Sequence, residues 1–468
     1  MGEDADAGGG AAKQVAAAVR AATGGAAEGV AGEAPAGRRL TLTQGTALYT
    51  GAVLGTGVIA LPALAARLAG PASLLAWLGL AILSAPLAAT FAALGARYPD
   101  AGGVATYTRL AFGERAATVV GWCFYFAIPV GAPAAALWAG AYVSEATHGG
   151  TATTVMTAVT LVILVPVINA IGVNLAGRIQ LCLAGLLTVF LLAALALSLP
   201  SARLSNLRPF APHGWTAIGP AAGLLVWCFV GWEVVTYLTA EFARPARDVP
   251  RATAIAVVLI GAMYLAVAFA TIAVLGPAAA NTNAPLADLL AAGLGGHGKL
   301  LAAVAALLLT LGTMNAYYAG AAKLGAALGR DGGLPAWLGH GSMTGHVPRR
   351  SLAVLGVSAT TVLMVAAAAG IGTRPLVSLT TGLFVAVYVV GVAAAVKLLP
   401  RRSKARAAAV VSLVAVVALL VMSGAYLVWP MLVAGGALLY FRVRRRAGAG
   451  WPDRRKTPSS ARTCTTRQ

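Results

Sequence analysis

The chain has 468 residues, of which 59% are hydrophobic and only 10% are charged. Its mean hydropathy is +0.82. A soluble domain of this size does not carry so few charges, so these values exclude an ordinary soluble protein. The charged residues lie in short segments between apolar runs of about 20 residues, which is the length that spans a bilayer as a helix. The composition therefore predicts an all-α membrane protein that crosses the bilayer many times.

The chain carries 34 Lys and Arg against 14 Asp and Glu, a net charge of +20. Such an excess can indicate nucleic-acid binding. Here nine basic residues follow Phe441, and most of the others border apolar runs, where they set topology and contact anionic lipid. We therefore expect the lipid bilayer, and no nucleic acid, as the surroundings of these charges. The four cysteines share no metal-binding or redox spacing, so we expect neither a metal site nor a disulfide framework.

Twelve apolar runs follow residue 44, and each is predicted to be a spanning helix. They cover approximately residues 45–69, 73–96, 117–143, 151–171, 177–199, 218–240, 253–276, 299–322, 351–370, 375–396, 407–423 and 425–441. The last two are nearly continuous, which predicts a tight helical hairpin at Ser423 and Gly424. Residues 1–37 are rich in Ala and Gly and lack an apolar segment of signal-peptide type, so we expect a disordered cytoplasmic tail. The predicted organisation is this tail, a twelve-helix domain over 38–441 and a basic cytoplasmic tail over 442–468.

Loop charge predicts the orientation of the chain. If the N-terminus is inside, the loops after even-numbered runs are cytoplasmic, and they hold sixteen basic residues against five in the opposite loops. The sixteen are Arg97, Arg109, Arg115, Arg178, Arg244, Arg247, Arg251, Lys323, Arg330, Arg349, Arg350, Lys397, Arg401, Arg402, Lys404 and Arg406. The five are Arg67, Arg203, Arg208, Lys299 and Arg374. Because positive charge accumulates on the inside, both termini are expected in the cytoplasm and the chain in the cytoplasmic membrane.

Glu233 is the one acidic residue that the pattern places deep in a span; Asp288 and the other acids fall in loops, tails or helix ends, and all five histidines, including His297, fall in loops. A membrane enzyme would need a second carboxylate, a histidine pair or a nucleophile with its base, so we expect no enzyme and no catalytic residue. A carboxylate at membrane depth costs about 2.5 to 3.5 kcal/mol and therefore indicates function. The alternative is a hydrogen-bonded Glu233 that ties the sixth run to a neighbouring helix.

The first run contains a Gly55-Thr56-Gly57 segment near its middle and Pro62 five residues later. Glycine weakens helical continuity, and proline cannot donate to the carbonyl four residues before it. Backbone groups freed at that depth must be buried in protein or line a cavity, and a helix that restarts there aims its positive end at the midplane. This end is suited to a carboxylate. Close helix packing through small residues is the competing interpretation.

The sixth run is similarly interrupted, because Gly231 lies near its middle, two residues before Glu233. The two interrupted runs are five apart and, by the loop count, cross the membrane in opposite directions. This relation is expected of the first helices of two inverted repeats. It favours a carrier over a channel, since a channel needs a continuous polar lining that these runs do not supply.

Four segments resemble the amino acid-polyamine-organocation superfamily. They are the Gly55 to Pro62 segment, the loop from Tyr98 to Gly103, the Trp227 to Glu233 segment with the Glu241 to Ala252 loop after it, and Arg330 to Pro335. The resemblance covers about residues 40 to 440. Within the superfamily, the Leu54 to Ala65 run and the Trp227 to Gly231 run are most similar to bacterial exporters of methionine and branched-chain amino acids.

The resemblance implies two inverted five-helix repeats plus two C-terminal helices, with the first and sixth spans unwound around an amino acid. It assigns the substrate carboxylate to the glycine-threonine-glycine turn, the ammonium to carbonyls of the sixth span, and a gating role to an aromatic residue of the eighth. The third span carries Pro129 and Pro133 where carriers of basic amino acids are more polar. The expected substrate contacts are Val53, Gly55, Thr56, Gly57, Ile128, Trp227, Cys228, Val230, Gly231 and Tyr317.

The resulting hypothesis is a secondary amino-acid transporter that works by alternating access and exports neutral apolar amino acids such as methionine, leucine, isoleucine and valine. Glu233 is expected to couple or gate transport by gaining and losing a proton, with H⁺ as the driving ion and no cofactor. The chain has no Walker sequence for an ATP-driven motor. An importer or exchanger of cationic amino acids or polyamines, with Glu233 as counter-ion, is the alternative within transport. A non-transporting membrane sensor is the alternative of another class, and the oligomeric state is left open.

Overall fold

A computed structural model describes residues 41–98, 103–171, 177–233, 242, 244–340 and 347–446. Within this part of the chain, fifteen α-helices follow one another, joined by turns and short 3-10 segments. They are α1 (Leu42–Val53), α2 (Gly57–Ala69), α3 (Ser73–Arg97), α4 (Gly103–Phe112), α5 (Glu114–Thr147), α6 (Gly150–Ile171), α7 (Gly177–Ser198), α8 (Ile218–Leu225), α9 (Pro245–Leu275), α10 (Pro285–Leu294), α11 (Gly296–Asp331), α12 (Arg349–Ala368), α13 (Thr373–Leu398), α14 (Lys404–Met422) and α15 (Val428–Arg446).

Each of the twelve predicted runs overlaps at least one of these helices. Nine helical stretches in the described part of the chain are long and apolar enough to cross a membrane. Many large apolar side chains are exposed on their outer faces, among them Ile82, Met156 and Val258. Such an apolar surface is unfavourable in contact with water and favourable in contact with lipid. The prediction of an all-α protein that crosses the membrane many times is confirmed.

Two short helices lie where loops were predicted. Helix α4 precedes the third span, and α10 lies between the span that ends at Ala280 and the span that begins at Gly296. Asp288 is therefore a residue of α10, and His297 belongs to the first turn of α11. Both helices are only 10 residues long, too short for the apolar run of about 20 residues that reveals a spanning helix in a sequence.

The helix of the first run is interrupted at the Gly55-Thr56-Gly57 segment, as the sequence predicts. Thr41 caps α1: its side chain accepts the N–H of Gln44 at 3.3 Å, and the Gln44 side chain accepts the N–H of Thr41 at 3.1 Å. The helix ends at Val53, and a new helix begins at Gly57. Pro62 lies inside α2 rather than at the break. The unwound residues 54–56 therefore separate two half-helices within one apolar run.

The sixth run is interrupted as well. Helix α8 ends at Leu225, and a 3-10 turn over Val226–Phe229 follows it. Val230 is then extended, and Gly231 has a φ of 123°, a region that favours glycine. The predicted continuation of this run over 234–240 lies outside the described residues.

The helices pack in two groups. The first, second, sixth and seventh runs form one group, in which α9 packs on α1, α2 and α3, and α8 packs on α2 and α3. The third, fourth, eighth and ninth runs form the other, in which α5, α6, α11 and α12 all contact one another. Each group thus joins two consecutive helices with the two that follow five positions later. This is the pairing expected if two five-helix repeats interlock.

Helices α14 and α15 are joined at the predicted place by a turn in which Gly424 has a φ of 56°. The tight hairpin expected there is not formed, because α14 packs on α3 and α13, and α15 packs on α5 and α13, rather than on each other. Helix α15 continues to Arg446, beyond the boundary predicted at residue 441. The predicted tails over 1–37 and beyond 446 lie outside the described residues. Their disorder and their cytoplasmic location stay predictions.

Candidate functional site

A cavity lies between the two groups of helices, beside both interruptions. It holds about 590 Å³ of space not filled by atoms, part of it open to the exterior. Its lining residues are Val53, Gly55, Thr56, Ala127, Ile128, Gly131, Ala132, Ala135, Trp227, Val230, Thr313, Met314, Tyr317, Tyr318, Thr380 and Phe384.

The break in the first run forms the polar part of this wall. The carbonyl of Val53 accepts the N–H of Gly55 at 2.7 Å, which turns the chain sharply after α1. Gly55 leaves space toward the cavity: a Cβ added there would meet only the Val53 carbonyl oxygen, at 3.8 Å. The backbone at Gly55 can therefore be approached closely by a bound molecule.

Thr56 is the N-cap of α2 and is 1% exposed. Its hydroxyl has no hydrogen-bond partner among the described residues. The first N–H groups of a helix lack partners within the helix, and the helix dipole makes this end positive. A buried hydroxyl without a partner costs free energy unless a ligand or water binds it. Together, Thr56 and the start of α2 offer hydrogen bonds to an anionic group such as a carboxylate.

The remainder of the cavity wall is mostly apolar. Ile128 and small residues of α5 line one side, and Met314 and Tyr317 of α11 line another. Trp227 of the sixth run packs edge-on against the buried Trp138 of α5, with 5.2 Å between ring centroids. Tyr317 meets Phe384 edge-on at 6.3 Å. Such a wall binds an apolar side chain by removing it from water.

Glu233 is 1% exposed and is not among the residues that line the cavity. Its Oε2 atom accepts a hydrogen bond from the Tyr388 hydroxyl on α13 and one from the Gly231 N–H at 3.1 Å. The same N–H lies 3.0 Å from the Tyr388 oxygen. The carboxyl group therefore holds the unwound part of the sixth run against α13. Glu233 is thus buried and hydrogen-bonded to a neighbouring helix, as its alternative interpretation expects; its depth in the membrane and its role in coupling stay predictions.

Seven of the ten expected substrate contacts line the cavity: Val53, Gly55, Thr56, Ile128, Trp227, Val230 and Tyr317. The other three lie elsewhere. A Cβ added to Gly57 would be 2.5 Å from the Cys228 sulfur and 2.8 Å from Trp227 Cδ1, so this glycine allows the two interrupted runs to pack closely. Cys228 is the residue of the sixth run that Gly57 contacts. Gly231 donates its N–H toward Glu233 and Tyr388. That any of the ten contacts substrate stays a prediction.

Several lining residues were not predicted, and two signals could have found some of them. Ala127, Gly131 and Ala135 recur every four residues, which places small side chains on one face of α5. Tyr318, beside the predicted Tyr317, is fully buried, and its hydroxyl has no partner among the described residues. Thr380 and Phe384 on α13 had no local signal, because only the tertiary fold brings them to the cavity.

Ion pairs in the described part of the chain lie away from this cavity. Arg109 pairs with Glu114 at 2.9 Å and with Asp331 at 3.6 Å, and Lys299 pairs with Glu145 at 2.5 Å. No group of three His, Cys, Asp or Glu residues suited to a metal ion occurs among the described residues. The cavity offers hydrogen bonds and apolar contact to a bound molecule.

Comparison with known proteins decides the family. The family model described as Amino acid permease matches residues 40–443. The chain belongs to the amino acid permease family. The predicted membership in the amino acid-polyamine-organocation superfamily is thereby confirmed. As a permease, the protein resides in a membrane, and its substrate is an amino acid.

Three curated relatives give the range of similarity. The uncharacterized amino acid permease YecA of Bacillus subtilis is 34% identical over 410 residues, which cover 87% of this chain and 96% of the relative. The L-methionine/branched-chain amino acid exporter YjeH of Escherichia coli is 39% identical over 231 residues, or 48% of this chain and 54% of that protein. The branched-chain amino acid permease BcaP of B. subtilis is 25% identical over 254 residues, or 50% and 55%. Because such relatives are permeases, the prediction that the chain is not an enzyme is confirmed.

Proposed function

We propose that this permease is a secondary active transporter that moves neutral apolar amino acids across the cytoplasmic membrane by alternating access. The observation that carries the proposal is the buried Thr56 hydroxyl at the start of α2, which has no partner among the described residues and lies in the wall of a mostly apolar cavity. The helix start is suited to the carboxylate that all amino acids share. The apolar remainder of the wall is suited to the side chain that distinguishes them.

Leucine, isoleucine, valine and methionine are the substrates that this wall favours. Val53, Ile128, Trp227 and Val230 offer apolar surface, and burial of such a side chain supplies about 1.5 to 3 kcal/mol. A lysine or polyamine ammonium would lose its hydration, and the described lining residues include no carboxylate to replace it. Glu233, the buried acid of the described part of the sixth run, is already bound by Tyr388 and Gly231. These contacts disfavour the cationic substrates of the alternative hypothesis.

Export is the direction that we propose, with both termini in the cytoplasm. Support comes from the exporter YjeH, which shares 39% identity over about half of this chain. The chain also carries basic residues on the loops after even-numbered runs, as expected if those loops face the cytoplasm. A non-transporting sensor would have no need of two interrupted spans that pack closely through Gly57.

Proton coupling through Glu233 is the mechanism that we propose for driving transport. The acid holds the unwound part of the sixth run to α13 by its hydrogen bonds with Gly231 and Tyr388. A change in its protonation alters what this carboxyl group can donate and accept. Movement of the sixth run and the charge of one proton would then be linked at a single residue.

Transport by purified protein in proteoliposomes tests the function. A panel of radiolabelled amino acids is measured under imposed proton gradients, under sodium gradients and in exchange mode. Leucine, isoleucine, valine and methionine should be transported and should compete with one another. Strong competition by lysine, arginine or putrescine, with none by leucine, would overturn the substrate assignment. Absence of transport for the whole panel would favour the sensor.

Glu233→Gln and Glu233→Ala test the coupling in the same vesicles. Gln keeps an oxygen that can accept both hydrogen bonds but cannot ionise, so this variant should fold and exchange leucine yet lose accumulation driven by the proton gradient. Ala removes the hydrogen bonds as well and should lower the folded yield. Glu145→Gln, which neutralises an acid paired with Lys299 away from the cavity, serves as the control and should keep coupling. If Glu233→Gln is coupled normally, the residue has only its structural role.

A further inference from the structure

Tyr264 is a buried residue of α9 that lies outside the cavity wall, and its hydroxyl binds the end of the first half-helix. The hydroxyl donates to the Val53 carbonyl at 2.7 Å. Val53 is the last residue of α1, so its carbonyl has no partner within the helix. The Gly55 N–H is its other donor, also at 2.7 Å. The Val53 carbonyl therefore accepts both the hydrogen bond that forms the turn and the hydrogen bond from Tyr264 on α9.

The ring of Tyr264 also packs edge-on against Phe229, which belongs to the 3-10 turn of the sixth run. One side chain therefore contacts the interruptions of both runs, from a helix that is itself continuous. Its ring is held independently of the hydroxyl, because Trp77 and Phe229 each pack against it with 5.4 Å between ring centroids.

We propose that Tyr264 is a positioning residue for substrate binding, which fixes the turn at residues 53–56 in the conformation that receives a carboxylate. A turn that contains glycine has many accessible conformations, so holding it before binding lowers the entropy lost on binding. The inference rests on the proposed function in one respect, namely that this turn contacts substrate. The positioning itself is a property of the unliganded protein and can be measured without substrate.

Tyr264→Phe removes the hydroxyl and keeps the ring between Trp77 and Phe229. Tyr49→Phe is the matched control, because Tyr49 is 1% exposed on α1, stacks on Phe242 at 5.8 Å, and has a hydroxyl without a partner among the described residues. Hydrogen–deuterium exchange is measured on the unliganded proteins. The amides of residues 54–56 should exchange about two- to tenfold faster in Tyr264→Phe, as expected from the loss of one hydrogen bond, and at the wild-type rate in Tyr49→Phe.

Leucine exchange in proteoliposomes gives the functional readout. Tyr264→Phe should raise KM by about two- to tenfold and change the maximal rate by less than about twofold, while Tyr49→Phe should match the wild type. A merely structural role would instead lower the folded yield and the maximal rate at constant KM. That result, or unchanged amide exchange in Tyr264→Phe, would overturn the proposal. If the wild type transports none of the panel, the proposed function fails, and the exchange measurement still decides whether Tyr264 positions the turn.

Discussion

Gly55→Ala is the sharpest test of where the substrate carboxylate binds. The added methyl group would meet no atom closer than 3.8 Å, so the folded protein has room for it. The methyl group projects from a residue that lines the cavity, beside the Thr56 hydroxyl and the start of α2. The protein should therefore fold normally, while a carboxylate would be kept from the backbone by roughly the width of a methyl group.

The magnitude follows from the hydrogen bonds that would be lost. A hydrogen bond to a charged group contributes about 1.5 to 3 kcal/mol, and about 1.4 kcal/mol corresponds to a factor of ten in affinity. Loss of one such bond should raise KM for leucine by about 10- to 100-fold. The melting temperature should stay at the wild-type value, because no described atom has to move.

Gly57→Ala gives the contrasting result. Its Cβ would lie 2.5 Å from the Cys228 sulfur and 2.8 Å from Trp227, and overpacking of this kind costs about 1 to 3 kcal/mol. This variant should lose melting temperature and folded yield, unlike Gly55→Ala. Gly223→Ala on α8, where a Cβ would meet nothing within 4 Å, controls for the loss of a glycine near the interruption of the sixth run. Wild-type KM for leucine in correctly folded Gly55→Ala would refute the assignment of the carboxylate to this turn.

Three further predictions test the neighbouring groups. Thr56→Val should raise KM by about two- to tenfold without loss of melting temperature, because it removes a buried hydroxyl that has no partner in the described structure; Thr310→Val, at a fully buried hydroxyl that does not line the cavity, should change neither. Tyr388→Phe should lower the melting temperature more than Glu233→Gln does, because it leaves the buried carboxyl without its hydroxyl donor at a cost of about 1 to 3 kcal/mol. Burial on α10 and the nearby Glu145 raise the pKa of Asp288 above its ordinary value of 3.8, against the opposing effects of Thr282 and Lys299. The folded protein then binds this proton more tightly than the unfolded chain, so its stability falls as pH rises from the ordinary pKa of 3.8 through the raised pKa of the folded state. The melting temperature should therefore fall less between pH 4 and pH 7 in Asp288→Asn than in the wild type.

The two interruptions could be predicted because their causes are local. Glycines in the middle of an apolar run, with Glu233 beside one of them, are visible in the sequence and have few explanations at membrane depth. The family resemblance then supplied seven residues that do line the cavity. The same reasoning could not decide which face of the turn each glycine occupies. Gly55 and Gly57 are two residues apart, yet one faces the cavity and the other faces Cys228.

The supporting contacts could not be predicted because they join distant parts of the chain. Tyr264 lies 211 residues from Val53, and Tyr388 lies 155 residues from Glu233. A tyrosine in an apolar span carries no local mark that distinguishes such a partner from a packing residue. The short helix α10 was missed for a different reason, since its 10 residues give too brief a pattern.

Protein side chains satisfy only part of the polar groups at the two interruptions, and a binding site requires that some of these groups stay available to a ligand. Some backbone groups freed by unwinding are bound by side chains that do not line the cavity: Tyr264 binds the Val53 carbonyl, and Glu233 and Tyr388 bind the Gly231 N–H. Unsatisfied groups there would cost several kcal/mol each in a membrane. Toward the cavity, the Thr56 hydroxyl has no partner among the described residues, and the first turn of α2 offers N–H groups that its own helix cannot use. A break that served only close packing would be expected to satisfy both sides, so the polar capacity left at the cavity favours a bound carboxylate.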